Sequence, residues 1–258
     1  MSALVICIIV GAGANYLTNT KTQISELGTA EYNWYFNPRK DHKQPDPIQE
    51  ASFFSKYDGY YVGKSEEKTI YLTFDEGYES GNTEKILDTL KKHNAKANFF
   101  VVKSYIERNP EIVRRMVSEG HIVGNHSNTH PSMAQVSSDV NKFNDEILSV
   151  AKEFKDVTGK EMPKFFRPPM GKFSERSLKM TQDLGYKTIF WSFAYEDWLN
   201  DKQPTPEFAK EKIFGRTHPG AIVLLHPNST TNTQILDEVL TQWEKDGYQL
   251  KTLDSLAK

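Results

Sequence analysis

Thr69-Ile70-Tyr71-Leu72-Thr73-Phe74-Asp75-Glu76-Gly77-Tyr78 opens on alternating β-branched and aromatic residues and breaks off in two acids and a glycine. The opening half has the composition of a strand. Two carboxylates at the end of an apolar strand are costly to hold beside a core unless a cation, a metal or a substrate uses them. A lone Asp-Glu-Gly is as readily a solvated turn. The balance changes because later strands of the same chain also end in polar groups able to do chemistry.

From Lys68 onward strands and helices alternate. A helix is expected from Asn82 or Thr83 to about His93, then a strand over Ala97–Val102. Asn109-Pro110-Glu111 starts a helix with a cap, a proline at the first helical position and an acid in the first turn, and Gly120 ends it. His121–Gly124 reads as a short strand. A long helix follows from about Ser138 to Thr158, with Val140, Phe143, Ile147, Val150, Ala151 and Phe154 on one face and Gly159 as its stop. Strands at Lys164–Phe166, Lys187–Phe193, Ala221–Leu225 and Tyr248–Leu250 are separated by helices at Ser174–Leu184, Pro206–Arg216 and Thr233–Lys245. Some seven strands with intervening helices imply a parallel α/β sheet with right-handed crossovers. In one domain this suggests a distorted, incomplete (β/α)7 TIM-like barrel, whose active residues gather at the C-terminal strand ends.

Composition narrows the function classes. In 258 residues, 32 basic side chains nearly cancel 34 acidic ones, so no broad basic face argues for nucleic acid. The single cysteine, Cys7, excludes disulfides within the chain and a cysteine-based zinc site. It sits in the apolar run of residues 3–14, too short for an ordinary spanning helix but suited to a signal peptide, with Ala12-Gly13-Ala14 as a small-residue cleavage site. No Lys or Arg precedes the run, and a buried N-terminal strand is the competing reading. Residues 1–14 are thus expected to direct export, leaving no stable membrane span beyond a signal or anchor. Residues 15–30 read as a linker. Residues 31–62 carry many aromatics broken by Pro38, Pro45 and Pro47, and read as an irregular arm to residue 64 packing on the domain at 65–258. Aromatics at this density also suit stacking on sugar rings.

The strand ends carry the chemistry. Asp75 and Glu76 end the first. After the third come His126 and His130, four apart as on one face of a helical turn, a spacing that brings two imidazoles to one metal ion. Such a pair also arises by chance on surfaces. Two histidines and a carboxylate make a common catalytic zinc arrangement, with Glu76 as the natural third ligand. Arg167-Pro168-Pro169-Met170-Gly171 fixes the backbone past the fourth strand, and Arg167 suits a two-pronged grip on a carboxylate. The plain alternative is a rigid loop with a surface arginine. Asp197 lies among Tyr195 and Trp198, and His226 ends the apolar run Ala221–Leu225, where a packed core histidine is the usual finding. His93, His121 and His218 are read as surface or core residues, and His42 belongs to the arm. Asp75 with Glu76 or Asp197 could also form a glycosidase pair, but that leaves three histidines unexplained.

Thr73-Phe74-Asp75-Glu76-Gly77, His126-Ser127-Asn128-Thr129-His130, Arg167-Pro168-Pro169-Met170-Gly171, Asp197-Trp198 and Leu224-Leu225-His226 resemble, in order, the five motifs of the polysaccharide deacetylase (NodB-homology, carbohydrate esterase 4) family. The resemblance covers about residues 65–255. The arm, with Trp34-Tyr35-Phe36 and His42-Lys43-Gln44-Pro45, is similar more narrowly to the N-acetylmuramic acid deacetylases of spore-forming bacteria, which take part in making muramic δ-lactam of spore-cortex peptidoglycan. The resemblance implies hydrolytic removal of an N-acetyl group from peptidoglycan strands by an exported, monomeric enzyme. It implies a divalent metal, zinc first and cobalt or another ion next, held by Glu76, His126 and His130. Asp75 would be the base, oriented by Arg167, and His226 the acid, oriented by Asp197. Met170, beside Gly171, would offer a backbone N–H to the oxyanion, and Trp198 and Leu224 would line the acetyl pocket. The chain departs from the pattern at Glu76, where the family has Asp, at Met170, where Tyr is common, and at Ala194, where a second acid is common. The alternatives are deacetylation of N-acetylglucosamine in peptidoglycan or chitin-like oligomers, and a catalytically impaired glycan-binding homologue.

Overall fold

A computed structural model describes residues 26–39 and 41–256; the apolar run of residues 3–14, and with it the expected signal, lies outside them. Eight strands form one sheet: β1 (Gly59–Tyr60), β2 (Thr69–Glu76), β3 (Asn98–Val101), β4 (Ile122–Asn125), β5 (Phe165–Phe166), β6 (Lys187–Ile189), β7 (Ala221–Leu225) and β8 (Gln249–Leu250). Their order is β7-β2-β3-β4-β5-β6-β1, all parallel, with β8 pairing the start of β2. The helices are α1 (Thr83–Lys92), α2 (Lys103–Arg108), α3 (Pro110–Ser118), α4 (Met133–Val136), α5 (Val140–Thr158), α6 (Glu175–Asp183), α7 (Pro206–Arg216) and α8 (Thr230–Lys245). This is the distorted, incomplete (β/α)7 barrel that the alternation implies.

The gap between the β6–β1 edge and β7 is bridged rather than filled by a further strand. Val62 makes an antiparallel bridge to Ala221, and Phe193 a parallel one to Val223. Ser192 N and Phe193 N both donate to Ile222 O, at 3.0 and 3.3 Å, and Leu224 N returns a bond to Phe193 O at 2.9 Å. The strand expected over Lys187–Phe193 is therefore regular only to Ile189, and its tail turns inward to close the barrel.

The period-two pleat sorts the side chains between two interiors. Along β2, Ile70, Leu72 and Phe74 enter the main core between sheet and helices, while Tyr71 joins Phe100, Phe165, Ile189 and Ile222 on the other face. Both faces are covered, which is why β2 reads as a nearly continuous apolar run. Helix α5 buries Phe143, Ile147, Val150 and Phe154 as its spacing predicts, but Val140 in its first turn is exposed. Asp139 caps that helix through Asn141 N and Lys142 N. Helices α2 and α4 are too short to have left a periodic signal. Helix α1 begins at Thr83 within the expected pair Asn82 or Thr83, but Asn82 makes no side-chain cap; Glu79 Oε1 instead accepts from Asn82 N at 3.1 Å and Thr83 N at 3.4 Å.

A second aromatic core joins residues 31–62 to the barrel. Trp34 stacks on Phe190 with centroids 4.2 Å apart and 13° between planes, and Phe54 and Phe173 pack beside it. Tyr32–Asn33 pairs antiparallel with Lys172–Phe173, and Trp34 N donates to Gly171 O at 2.8 Å.

Candidate active site

The same pleat that builds the core decides which polar residues meet. Asp75 shares the inner parity of Tyr71 and Thr73; Arg167 follows Phe165 by two, and Leu224 and His226 follow Ile222 by two and four. At the C-terminal strand ends these residues converge on a cavity of about 670 Å³ lined by Asp75, His126, His130, Met170, Gly171, Trp198, Leu224 and His226, among others. Arg167 lies beneath this floor and Asp197 behind His226.

Arg167 is fully buried. Its Nη1 donates to Asp75 Oδ1 at 2.7 Å and to Thr73 Oγ1 at 2.8 Å, and its Nε to Ile189 O at 3.2 Å. The Phe100 ring lies under the guanidinium, 4.3 Å from its carbon to the ring centroid. Burial alone would raise the Asp75 carboxyl; the charge of Arg167, helped by His126 and His226 and by the Arg167 hydrogen bond, outweighs it and holds the group below the usual carboxylate range. Asp75 is thus a carboxylate kept ionised in a mostly buried place.

Across the cavity His226 is prepared in the opposite sense. Its Nδ1 lies 2.7 Å from Asp197 Oδ1, and its backbone N donates to Asp197 Oδ2 at 2.9 Å. Asn232 Nδ2 donates to the same Oδ2 at 2.6 Å, and Tyr195 OH donates to Asn232 Oδ1. Burial lowers the imidazole's proton affinity, but the Asp197 hydrogen bond and charge reverse this and raise it above the usual range. The Nδ1–H is fixed on Asp197, so Nε2 is the nitrogen left to exchange a proton. The Trp198 ring stands edge-on to His226, centroids 5.3 Å apart.

His126 and His130 do meet, with ring centroids 4.9 Å apart, but not on a helical turn. The chain after β4 is a loop in which Ser127 (φ 71°) and His130 (φ 59°) are left-handed, and Ser127 Oγ accepts from His130 N at 3.0 Å. His126 Nδ1–H donates to Arg167 O at 2.8 Å, which turns Nε2 toward Asp75 Oδ2, 3.5 Å away. Burial pushes His126 down to about 4 and lowers His130 as well, so both imidazoles are neutral and able to donate a lone pair.

Glu76 is not brought to this place. It has the outer parity of Phe74, is fully buried, and accepts from Thr83 Oγ1 at 3.3 Å, while its Oε2 has no partner. It does not line the cavity. Among the described residues no group of three or more His, Cys, Asp and Glu side chains is arranged to hold a metal ion. The donor set expected from spacing, Glu76 with the two histidines, therefore does not fit a metal here; the two imidazoles and Asp75 are what face the cavity.

The Met170 backbone is left-handed (φ 57°) and its side chain exposed at the cavity edge. Gly171 has φ 65°, and a Cβ there would stand 2.8 Å from the Trp191 ring and 3.1 Å from Trp34 Cβ, so the loop is pressed against the aromatic core. Sequence reasoning missed Thr73, Asn232 and Tyr195, which support the site, and Tyr78, Glu196 and Asn228, which line it. For Thr73 the signal was available, since it sits two residues before Asp75. The other histidines lie apart: His121 accepts from Ala97 N at 3.1 Å in the core, His218 bonds Ser192, His93 lies against Asp237 and Glu244, and His42 bonds Thr217 O.

A family model described as polysaccharide deacetylase matches residues 62–189. The peptidoglycan-N-acetylmuramic acid deacetylase PdaA of Bacillus subtilis is 44% identical over 241 residues, 93% of this chain and 91% of that protein. A peptidoglycan-N-acetylglucosamine deacetylase of Bacillus cereus is 32% identical over 209 residues, 80% of this chain and 74% of its own length. Among solved structures, that of Bacillus subtilis PdaA, a family 4 carbohydrate esterase, matches with a TM-score of 0.84 at 43% identity, covering 88% of this chain and 97% of that one.

Proposed function

The chain belongs to the polysaccharide deacetylase family, and from that premise we propose that it hydrolyses the N-acetyl amide of N-acetylmuramic acid in peptidoglycan strands, outside the cytoplasm, toward muramic δ-lactam of spore cortex. The choice of sugar is supported by the 44% identity to the Bacillus subtilis enzyme. The likeness to an N-acetylglucosamine deacetylase supports a second reading, the same reaction on the neighbouring amino sugar. One observation carries the reaction class: a carboxylate paired with a buried Arg167 and an imidazole paired with a buried Asp197, shifted in opposite directions, face one cavity.

With the acetamide seated against Trp198 and Leu224, Asp75 takes a proton from a water as its oxygen attacks the carbonyl carbon. Arg167 keeps Asp75 ionised and aimed. Charge builds on the carbonyl oxygen, and the Met170 N–H is proposed as its donor; the neighbouring Gly171 N is already committed to Pro168 O at 3.0 Å. His226 Nε2–H then protonates the amide nitrogen, the C–N bond breaks, and acetate and the free amine leave. Asp197 stabilises the imidazolium beforehand. A divalent ion, zinc first, is proposed at His126 and His130; since Glu76 does not join them, no step is routed through it.

The test is acetate release from peptidoglycan freed of its peptides, beside intact peptidoglycan and chitooligosaccharides, each with zinc and with chelator. Deacetylated muramic acid is the expected product. Release from glucosamine substrates alone moves the chain to the second reading, and release from none overturns the enzyme.

A further inference from the structure

Of the seven large hydrophobic side chains exposed among the described residues, Tyr78, Met170 and Trp198 line this one cavity. Tyr78 and Trp198 keep 48% and 47% of their surface in water although they border a site with apolar walls. They are held there by a network of neutral groups. Tyr78 OH donates to Asn200 Oδ1 at 3.0 Å, and Asn228 Nδ2 donates to Asn200 Oδ1 at 2.8 Å and to Trp198 O at 2.8 Å. The network ties together three loops, those after β2, β6 and β7; the first leaves the strand that carries Asp75, and the other two carry Asp197 and His226. It holds these bonds in water, where each adds little to stability, so folding alone gives no reason for it.

We propose that Tyr78, Asn200 and Asn228, continuing the Trp198 wall, form a platform for the uncharged sugar joined to the reacting residue along a glycan strand. This rests on the deacetylase reading and adds to it how the enzyme recognises a polymer. The chemistry fits a neutral pyranose: aromatic rings cover the apolar ring faces of a sugar, and amides offer paired donors and acceptors to its hydroxyls. The platform itself carries no ionisable acid or base apart from the phenol. Asn200 stands outside the cavity lining while Trp198 reaches His226, so the network runs outward from the reacting centre. A chain threading this mouth meets it directly beside the acetyl pocket.

The test compares kcat and KM on the N-acetylated monosaccharide and on a peptide-free tetrasaccharide, for wild type, Tyr78→Ala, Tyr78→Phe and Asn200→Ala. Wild type is expected to favour the tetrasaccharide more than tenfold in kcat/KM. Tyr78→Ala and Asn200→Ala should each shrink that preference at least fivefold through KM, with kcat on the tetrasaccharide within about twofold, and Tyr78→Phe, which keeps the ring, should lose less. An unchanged preference, or a fall in kcat with KM constant, overturns the platform. If wild type turns over neither substrate, the deacetylase reading fails by itself. Calorimetric binding of the tetrasaccharide then decides the platform, which is overturned if Tyr78→Ala binds as tightly as wild type.

Discussion

Arg167 Nη1 lies 2.7 Å from Asp75 Oδ1, and no face of the guanidinium reaches water. Removing one partner leaves the other as a buried unpaired charge, which costs about 3–5 kcal/mol. Arg167→Met should therefore lower the melting temperature by roughly 6–20 °C, at about 2–4 °C per kcal/mol for a chain of this size. Adding Asp75→Asn should recover most of that loss without restoring turnover. A double variant no more stable than the single one would refute the pairing as the origin of the cost.

Asp75→Asn and His226→Ala should each lower kcat by roughly 10²–10⁴, the usual range for a lost acid or base, with the circular dichroism of the folded protein at the assay temperature, although Asp75→Asn, which leaves the buried Arg167 unpaired, should melt below wild type. Activity kept in either variant would show that proton transfer runs through other groups.

The pH profile follows from the two opposite shifts. The proposed reaction requires Asp75 ionised and His226 protonated, so the acid limb should fall below the ordinary carboxylate range and the alkaline limb above the ordinary imidazole range. Asp197 is the main group raising His226. Asp197→Asn should hence move the alkaline limb to lower pH and leave the acid limb in place, read as kcat/KM against pH. Movement of the acid limb instead would reassign the ionisations.

Glu76 offers a stability test and a metal test in one variant. Burial first, then the charge of Glu79, then that of Asp75, raises its carboxyl well above the usual range, against a Thr83 hydrogen bond. The folded state thus keeps a proton that the unfolded chain releases, and stability is lost as pH rises from the ordinary Glu range toward the folded value. Glu76→Gln should melt like wild type at or below the ordinary Glu range and gain on it as pH rises above that range. Zinc affinity, measured by titration calorimetry, should stay within about twofold in Glu76→Gln and drop more than about tenfold in His126→Ala. A tenfold loss in Glu76→Gln with the fold intact would make it a ligand after all.

Much of this was legible residue by residue. Ala221–Leu225 has the expected bounds because an apolar run lies between Gly220 and His226, and Pro206–Arg216 because Thr205 caps it with proline next. The arm's aromatics were visible, but their partners Phe173 and Phe190 lie far along the chain. The His126–His130 spacing suggested a helical turn because left-handed backbone at Ser127 and His130 leaves no mark in residue type. Glu76 was the avoidable miss. Thr73 and Asp75 share one parity and Phe74 and Glu76 the other, so a strand continuing to Glu76 already separates the two acids. Asn232, two elements away from Asp197, had no local pattern to reveal it.

The aromatic core around Trp34 bears on modularity. The matched family region begins at residue 62, yet Trp34 covers Phe190 and clasps Gly171 and Trp191 O from outside that boundary. A fragment cut at residue 62 would present a wet, apolar slot behind the Met170 loop and invite self-association. The unit that can be transplanted, fused or minimised in this protein is therefore larger than its homology region, and it includes residues 31–61.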